Sequence, residues 1–170
     1  GTHLPSFLQS EGISINTASW ALAMIGLFNM FGSMIFGRMG DSLSKKNLLS
    51  LLYTLRAVVI AGFLAIPLNE ITAIAFGAAI GFLWLATVPL TSGIVAQVFG
   101  TRYLSTLWAI VFFSPQLGAF LGVWLGGRLY DETGTYTPVW LASIALGLIA
   151  GIIHLTIREQ PWKPSALELK

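Results

Sequence analysis

The amino-acid sequence predicts an all-α, polytopic membrane helix bundle, and three observations carry that expectation. Hydrophobic residues make up 55% of the 170 positions and charged residues only 9%, against about 45–50% and about 25% in soluble domains. The few charges are clustered. They leave uncharged runs from Glu11 to Arg38, Glu70 to Arg102, Arg102 to Arg128 and Glu132 to Arg158, each longer than the roughly 20 residues a helix needs to cross a bilayer core. None of these runs shows the alternation of apolar and polar residues, in segments of about ten, that marks a membrane barrel strand.

Five spans follow in order. The first, 17–36, fills the run after Glu11 and ends where charge returns at Arg38. The second, 47–67, reads NLLSLLYTLRAVVIAGFLAIP and is interrupted only by Arg56. The third, 71–97, begins after Glu70 and carries Gly77, Gly81 and Pro89 inside it. The fourth, 103–127, lies between Arg102 and Arg128, and the fifth, 137–157, follows Asp131 and Glu132. Glycine and proline do not exclude helices here, because neighbouring helices re-satisfy freed backbone groups. Residues 1–10 lack a basic n-region and a long apolar core, so they read as the end of a preceding helix and not as a signal peptide. Residues 161–170 read as a tail.

The basic residues orient the bundle. Arg38, Lys45, Lys46, Arg102, Arg158, Lys163 and Lys170 fall on one side, and only Arg128 among the opposite loops. The positive-inside rule makes the first side, with the C-terminus, cytoplasmic. There is no cysteine, which removes thiolate chemistry and cysteine metal sites. A formal charge of +2 is too small to indicate nucleic-acid binding. An integral-membrane enzyme finds no support: no acid lies within a span, the two histidines sit near opposite faces, and no nucleophile has a readable base nearby.

GRMGDSLSKK, residues 37–46, resembles the loop signature of the major facilitator superfamily of secondary transporters. Gly37, Gly40, Asp41, Lys45 and Lys46 match it, with Arg38 between; Ser42 stands where a basic residue is usual and Ser44 where a glycine is usual. These departures fit the weaker copy found in the second half of such proteins. GGRLYDETGTYTPVW, residues 126–140, is similar to the pattern that ends helix eleven in monocarboxylate-transporter-like members. The resemblance implies the C-terminal six-helix half of that fold: five whole helices, eight to twelve, with residues 3–9 as the end of helix seven and an N-terminal half expected upstream.

The resemblance further implies a multi-pass protein of the cell membrane that moves a small organic solute, a monocarboxylate first among candidates, by alternating access. It implies no cofactor beyond coupling to protons or sodium, and as partners the bilayer, the N-terminal half and the solute. The alternatives are a drug or metabolite efflux antiporter of the same superfamily and, from another class, a non-transporting receptor-like membrane protein.

Individual residues carry more local expectations. The loop at 37–46 is expected to be a short glycine-containing turn in which Asp41 accepts hydrogen bonds from a neighbouring helix N-terminus, while Lys45 and Lys46 hold it at anionic headgroups. Either it only sets topology or it is a latch on one state of the cycle.

Arg56 lies about ten residues from Lys46, roughly 15 Å into a core of ~30 Å. An unpaired arginine there costs about 2.5–3.5 kcal/mol. Its partner is therefore a helix carbonyl, a residue of the other half, or an anionic solute, and both a structural and a solute-binding role stay open.

Trp84, Thr87 and Thr91, around Pro89, are expected either on a cavity face or in the packing of a kinked helix. Ser114, Pro115 and Gln116 are expected as a polar break at mid-depth, with Gln116 a solute or gate candidate. Gly118, Gly122 and Gly126 repeat every fourth residue as a packing face, and Gly26, Asn29, Ser33 and Gly37 form another, with Asn29 also a cavity candidate. His3 is a candidate in proton coupling or an interfacial residue, and His154 is expected at the interface near the cytoplasmic end of the last span.

Overall fold

The computed structural model describes residues 4–161. Its regular elements are helices: α1 (Leu4–Ser10), α2 (Ile15–Ser42), α3 (Lys45–Ala65), α4 (Glu70–Trp84), α5 (Thr87–Phe99), α6 (Leu104–Thr133) and α7 (Thr137–Leu155). Five units are long and apolar enough to cross a membrane: α2, α3, the pair α4–α5 as 30 residues, α6 and α7. The expected all-α membrane bundle is therefore observed, with α1 packed beside it. His3 and all but the first residue of the tail lie outside the described residues.

Local chemistry sets the helix ends. Gly12, at φ +83°, ends α1 in a turn where the Gly12 N–H reaches the Gln9 carbonyl at 3.0 Å and the Ile13 N–H reaches Leu8 at 2.9 Å. This is the double bond pattern that a left-handed glycine permits. Ser14 then caps α2 through its Oγ, 3.2 Å from the Thr17 N–H. At α4, Asn69 Oδ1 accepts from the Thr72 N–H at 2.9 Å while Thr72 Oγ1 accepts from the Asn69 N–H at 2.9 Å, a reciprocal cap that satisfies two otherwise orphaned donors.

Lipid tails are as apolar as leucine, so helices in a bilayer gain by close packing, which small residues allow. α2 and α4 run parallel with their backbones nearly touching. A Cβ on Gly81 would lie 2.6 Å from the Ile25 Cα, and one on Gly77 or Gly32 would overlap the Ala21 or Phe82 carbonyl. α3 and α7 meet the same way, where a Cβ on Gly151 would lie 2.9 Å from Thr54 Oγ1. Two apolar clusters result. One gathers Leu4, Leu8, Ala21, Phe63, Phe76 and Ile80, with the Phe63 and Phe76 rings stacked at 4.0 Å. The other, toward the end carrying Lys45 and Lys46, gathers Phe36, Leu49, Leu52, Leu83, Ala86 and Leu90.

Three expectations need correction. The span 71–97 is not one helix: it breaks at Leu85 and Ala86 into α4 and α5. The reverse holds at residues 114–116, where α6 continues unbroken through Pro115. The region 37–46 is not a glycine turn, because α2 continues to Ser42 and only Leu43 and Ser44 connect it to α3. Gly37 and Gly40 are helical positions used for contact: a Cβ on Gly37 would lie 3.5 Å from Pro89 Cβ, and one on Gly40 2.6 Å from Leu90 Cδ2.

Candidate functional site

Pro89 explains the break in the third span. It has no N–H to give the Leu85 carbonyl, four residues back, and its ring would clash there in a continuous helix. The Leu85 carbonyl instead takes the Val88 N–H at 3.0 Å, which removes the donor that the Trp84 carbonyl would otherwise have. α5 begins at Thr87, so Pro89 falls in its first turn, where a missing N–H costs nothing.

The polar groups at the break are met by side chains from two other helices. Arg56 of α3 donates through Nε and Nη2 to the Leu83 carbonyl at 3.1 and 2.6 Å, and through Nη2 also to the Trp84 carbonyl. Thr87 Oγ1 donates to the same Trp84 carbonyl at 3.3 Å. From α2, Asn29 Oδ1 accepts the Leu85 N–H at 3.0 Å. The register of the parallel pair makes this possible, since Ala21 faces Gly77, Ile25 faces Gly81 and the next turn brings Asn29 to Leu85. The Arg56 guanidinium also lies over two rings, 5.0 Å from the centroid of Tyr53 and 5.9 Å from that of Trp84.

Of the predicted residues, the structure thus brings Asn29, Arg56, Trp84 and Thr87 together, with half-buried Thr91 one turn further along α5. Gly77 and Gly81 form the contact with α2. Gln116 stands apart, exposed on α6. Gly118 and Gly122 are also exposed, with no described atom near enough to touch an added Cβ, whereas Gly126 is buried. On α2, Gly37 and Asn29 share the face toward α4–α5, while Gly26 is open. The role of Tyr53 went unread, although its spacing three residues before Arg56 places both on one side of a helix.

The region 37–46 contributes differently from expectation. Asp41 and Arg38 are exposed, and neither side chain makes a hydrogen bond or ion pair among the described residues. The acid at a helix N-terminus is Glu159, beyond α7, whose carboxylate accepts the Lys46 N–H of α3 at 2.6 Å. Lys45 and Lys46 are turned inward: Lys45 Nζ donates to Gln97 Oε1 at 3.0 Å and Lys46 Nζ to the Leu155 carbonyl at 3.2 Å. Gln97 Nε2 in turn donates to the Glu159 carbonyl at 2.8 Å. Four hydrogen bonds therefore tie the ends of α3, α5 and α7. An anion at a helix start and a cation at a helix end both oppose the local dipole charge. Sequence reading missed Glu159 because the acid comes from a segment 113 residues further along the chain.

A sequence model of the Major Facilitator Superfamily matches residues 1–169. The chain belongs to that superfamily. Mouse monocarboxylate transporter 12 is 26% identical over 164 residues, covering 92% of this chain and 34% of the mouse protein. The Bacillus subtilis protein named as uncharacterized MFS-type transporter YcxA is 24% identical over 158 residues, covering 90% of this chain and 38% of its own. The aspyridones efflux protein apdF of Emericella nidulans is 22% identical over 152 residues, covering 89% and 31%. This superfamily chain spans about a third of the length of the curated relatives it matches.

Proposed function

We propose that the chain is the C-terminal half of a secondary active transporter that moves a small organic solute by alternating access, with a monocarboxylate as the first candidate. The observation that carries this reading is the interrupted helix α4–α5. Irregular backbone at membrane depth persists only where it is buried in protein or lines a cavity, and interrupted helices in transporters commonly form solute and ion sites near the midplane. In this reading Trp84, Thr87 and Thr91 face the solute path, and Arg56 and Asn29 hold the break in shape. The monocarboxylate transporter names among the relatives support the solute class. The excess of Lys and Arg on one side supports a cytoplasmic C-terminus in the cell membrane.

The test uses the full-length protein in proteoliposomes. Labelled small monocarboxylates are offered with an imposed proton gradient and then with a sodium gradient. Accumulation that collapses when the gradient is dissipated supports the reading and names the coupling ion. Binding without accumulation of any solute contradicts it in favour of a receptor-like protein. Gradient-driven export of bulky amphiphiles with no monocarboxylate flux would move the chain to the efflux branch, for which the aspyridones efflux relative is the specific support.

A further inference from the structure

We propose that Tyr53 and His154 are positioning residues for the helix break, acting through Arg56. Arg56 reaches two carbonyls of α4 from α3, yet an arginine side chain is long and its guanidinium can swing. Something must hold the head in place. The Tyr53 ring lies beneath the guanidinium at 5.0 Å and the Trp84 ring lies at 5.9 Å, so the charge sits against two π faces while its donors engage the Leu83 and Trp84 carbonyls.

The Tyr53 ring is itself held. The His154 ring of α7 stacks on it, with centroids 4.8 Å apart and planes at 25°. His154 is fixed in turn by its Nδ1, 2.6 Å from the Ala150 carbonyl. A carbonyl only accepts, so Nδ1 carries the hydrogen, which sets the tautomer and ring plane. The stack forms because α7 approaches α3 closely. Gly147 and Gly151 lie against Tyr53, Ser50 and Thr54, where a Cβ would be 3.4 Å from the Tyr53 carbonyl and 2.9 Å from Thr54 Oγ1. A continuous series of contacts thus runs from α7 through His154, Tyr53 and Arg56 to the carbonyls at the end of α4, and ties the shape of the break to the last helix of the chain.

The transport arm of the test rests on the function proposed above; the exchange arm does not. Full-length protein in nanodiscs is followed by amide hydrogen exchange over residues 83–90. Y53L and H154A remove a ring and are expected to raise exchange there about two- to fivefold, while Y53F and H154F keep the stack and stay at the parental rate. In an R56Q background, Y53L is expected to add nothing. In proteoliposomes, with rates counted per folded transporter, Y53L and H154A lower kcat and leave KM within about twofold while H154F keeps the parental kcat. A general loss of folded protein, removed by that normalisation, would not give this split.

Parental exchange in both Y53L and H154A overturns the inference, as does equal loosening by H154A and H154F. Should Y53L fail to fold, the H154A and H154F pair decides alone. Should the parent carry no solute, the function fails and the exchange result still stands.

Discussion

Arg56 Nη2 lies 2.6 Å from the carbonyl oxygen of Leu83, so the arginine that the sequence places inside a span is spent on the backbone of a neighbouring helix. A guanidinium between carbonyls offsets its desolvation by hydrogen bonds to charge, each about 1.5–3 kcal/mol in water-soluble proteins and less between membrane helices, at most about 1.7 kcal/mol. Arg56→Gln should therefore lower the stability of the full-length protein by about 1–3 kcal/mol, read as the midpoint of thermal unfolding in detergent. Arg56→Lys keeps the charge but not the planar fork, and should recover less than half of the loss. A fully stable Arg56→Gln variant would mean that the carbonyls find other donors.

Asn29→Leu keeps the volume and removes the acceptor for the Leu85 N–H. Leu85 is exposed in the bundle, and a backbone donor left without a partner where no water replaces the acceptor costs about 1–3 kcal/mol. The expected result is faster amide exchange at Leu85 than in the parent, by about tenfold or more, with exchange in α7 unchanged. Because Asn29 and Arg56 serve one break, the double variant with Arg56→Gln should lose less than the sum of the two single losses.

Gly81→Ala forces a Cβ to within 2.6 Å of the Ile25 Cα, where only movement of a whole helix gives relief. Overpacking of this kind costs about 1–3 kcal/mol or more, and the yield of folded protein after detergent extraction should fall sharply. Gly62→Ala is the control: a Cβ there has no described atom within 4 Å, and alanine favours the helix.

Glu159→Ala removes the carboxylate that accepts the Lys46 N–H. An anion at a partly buried helix start contributes up to about 2 kcal/mol. The variant should loosen the first turn of α3 and the last turn of α5, read by hydrogen exchange over residues 45–49 and 94–99. Asp41→Asn, on an exposed side chain with no described partner, should leave both segments as they are. The opposite ranking would restore Asp41 to the role expected of it.

Much of the fold was legible because composition dominates in a bilayer: long uncharged runs can only be helices there, and charges mark their ends. The need of Arg56 for a partner was legible for the same reason. Which partner it takes was not, because a carbonyl carries no sequence signal, and that of Trp84 is freed only by the shift of the Val88 N–H to Leu85. Pro89 and Pro115 looked alike in sequence. They differ in the structure: Pro89 sits in the first turn of α5, whereas Pro115 lies within a helix that continues through it, a difference nothing in the structure explains. The loop at 37–46 carried the family resemblance, but its local geometry was misread: helix α2 continues through the glycines, and the helix-capping acid lies far away at Glu159.

The central claim is that the break between α4 and α5 borders the solute path. The chain contains no cysteine, so Thr87→Cys and Thr91→Cys can be placed singly in a full-length protein otherwise free of cysteine. Their reaction with a small water-soluble thiol reagent is then timed with and without a transported monocarboxylate. The account predicts that both positions react and that solute slows the reaction at least about fivefold, as expected when solute occupies most of its sites. No reaction at either position, or reaction unaffected by solute in a variant that still transports, would contradict it.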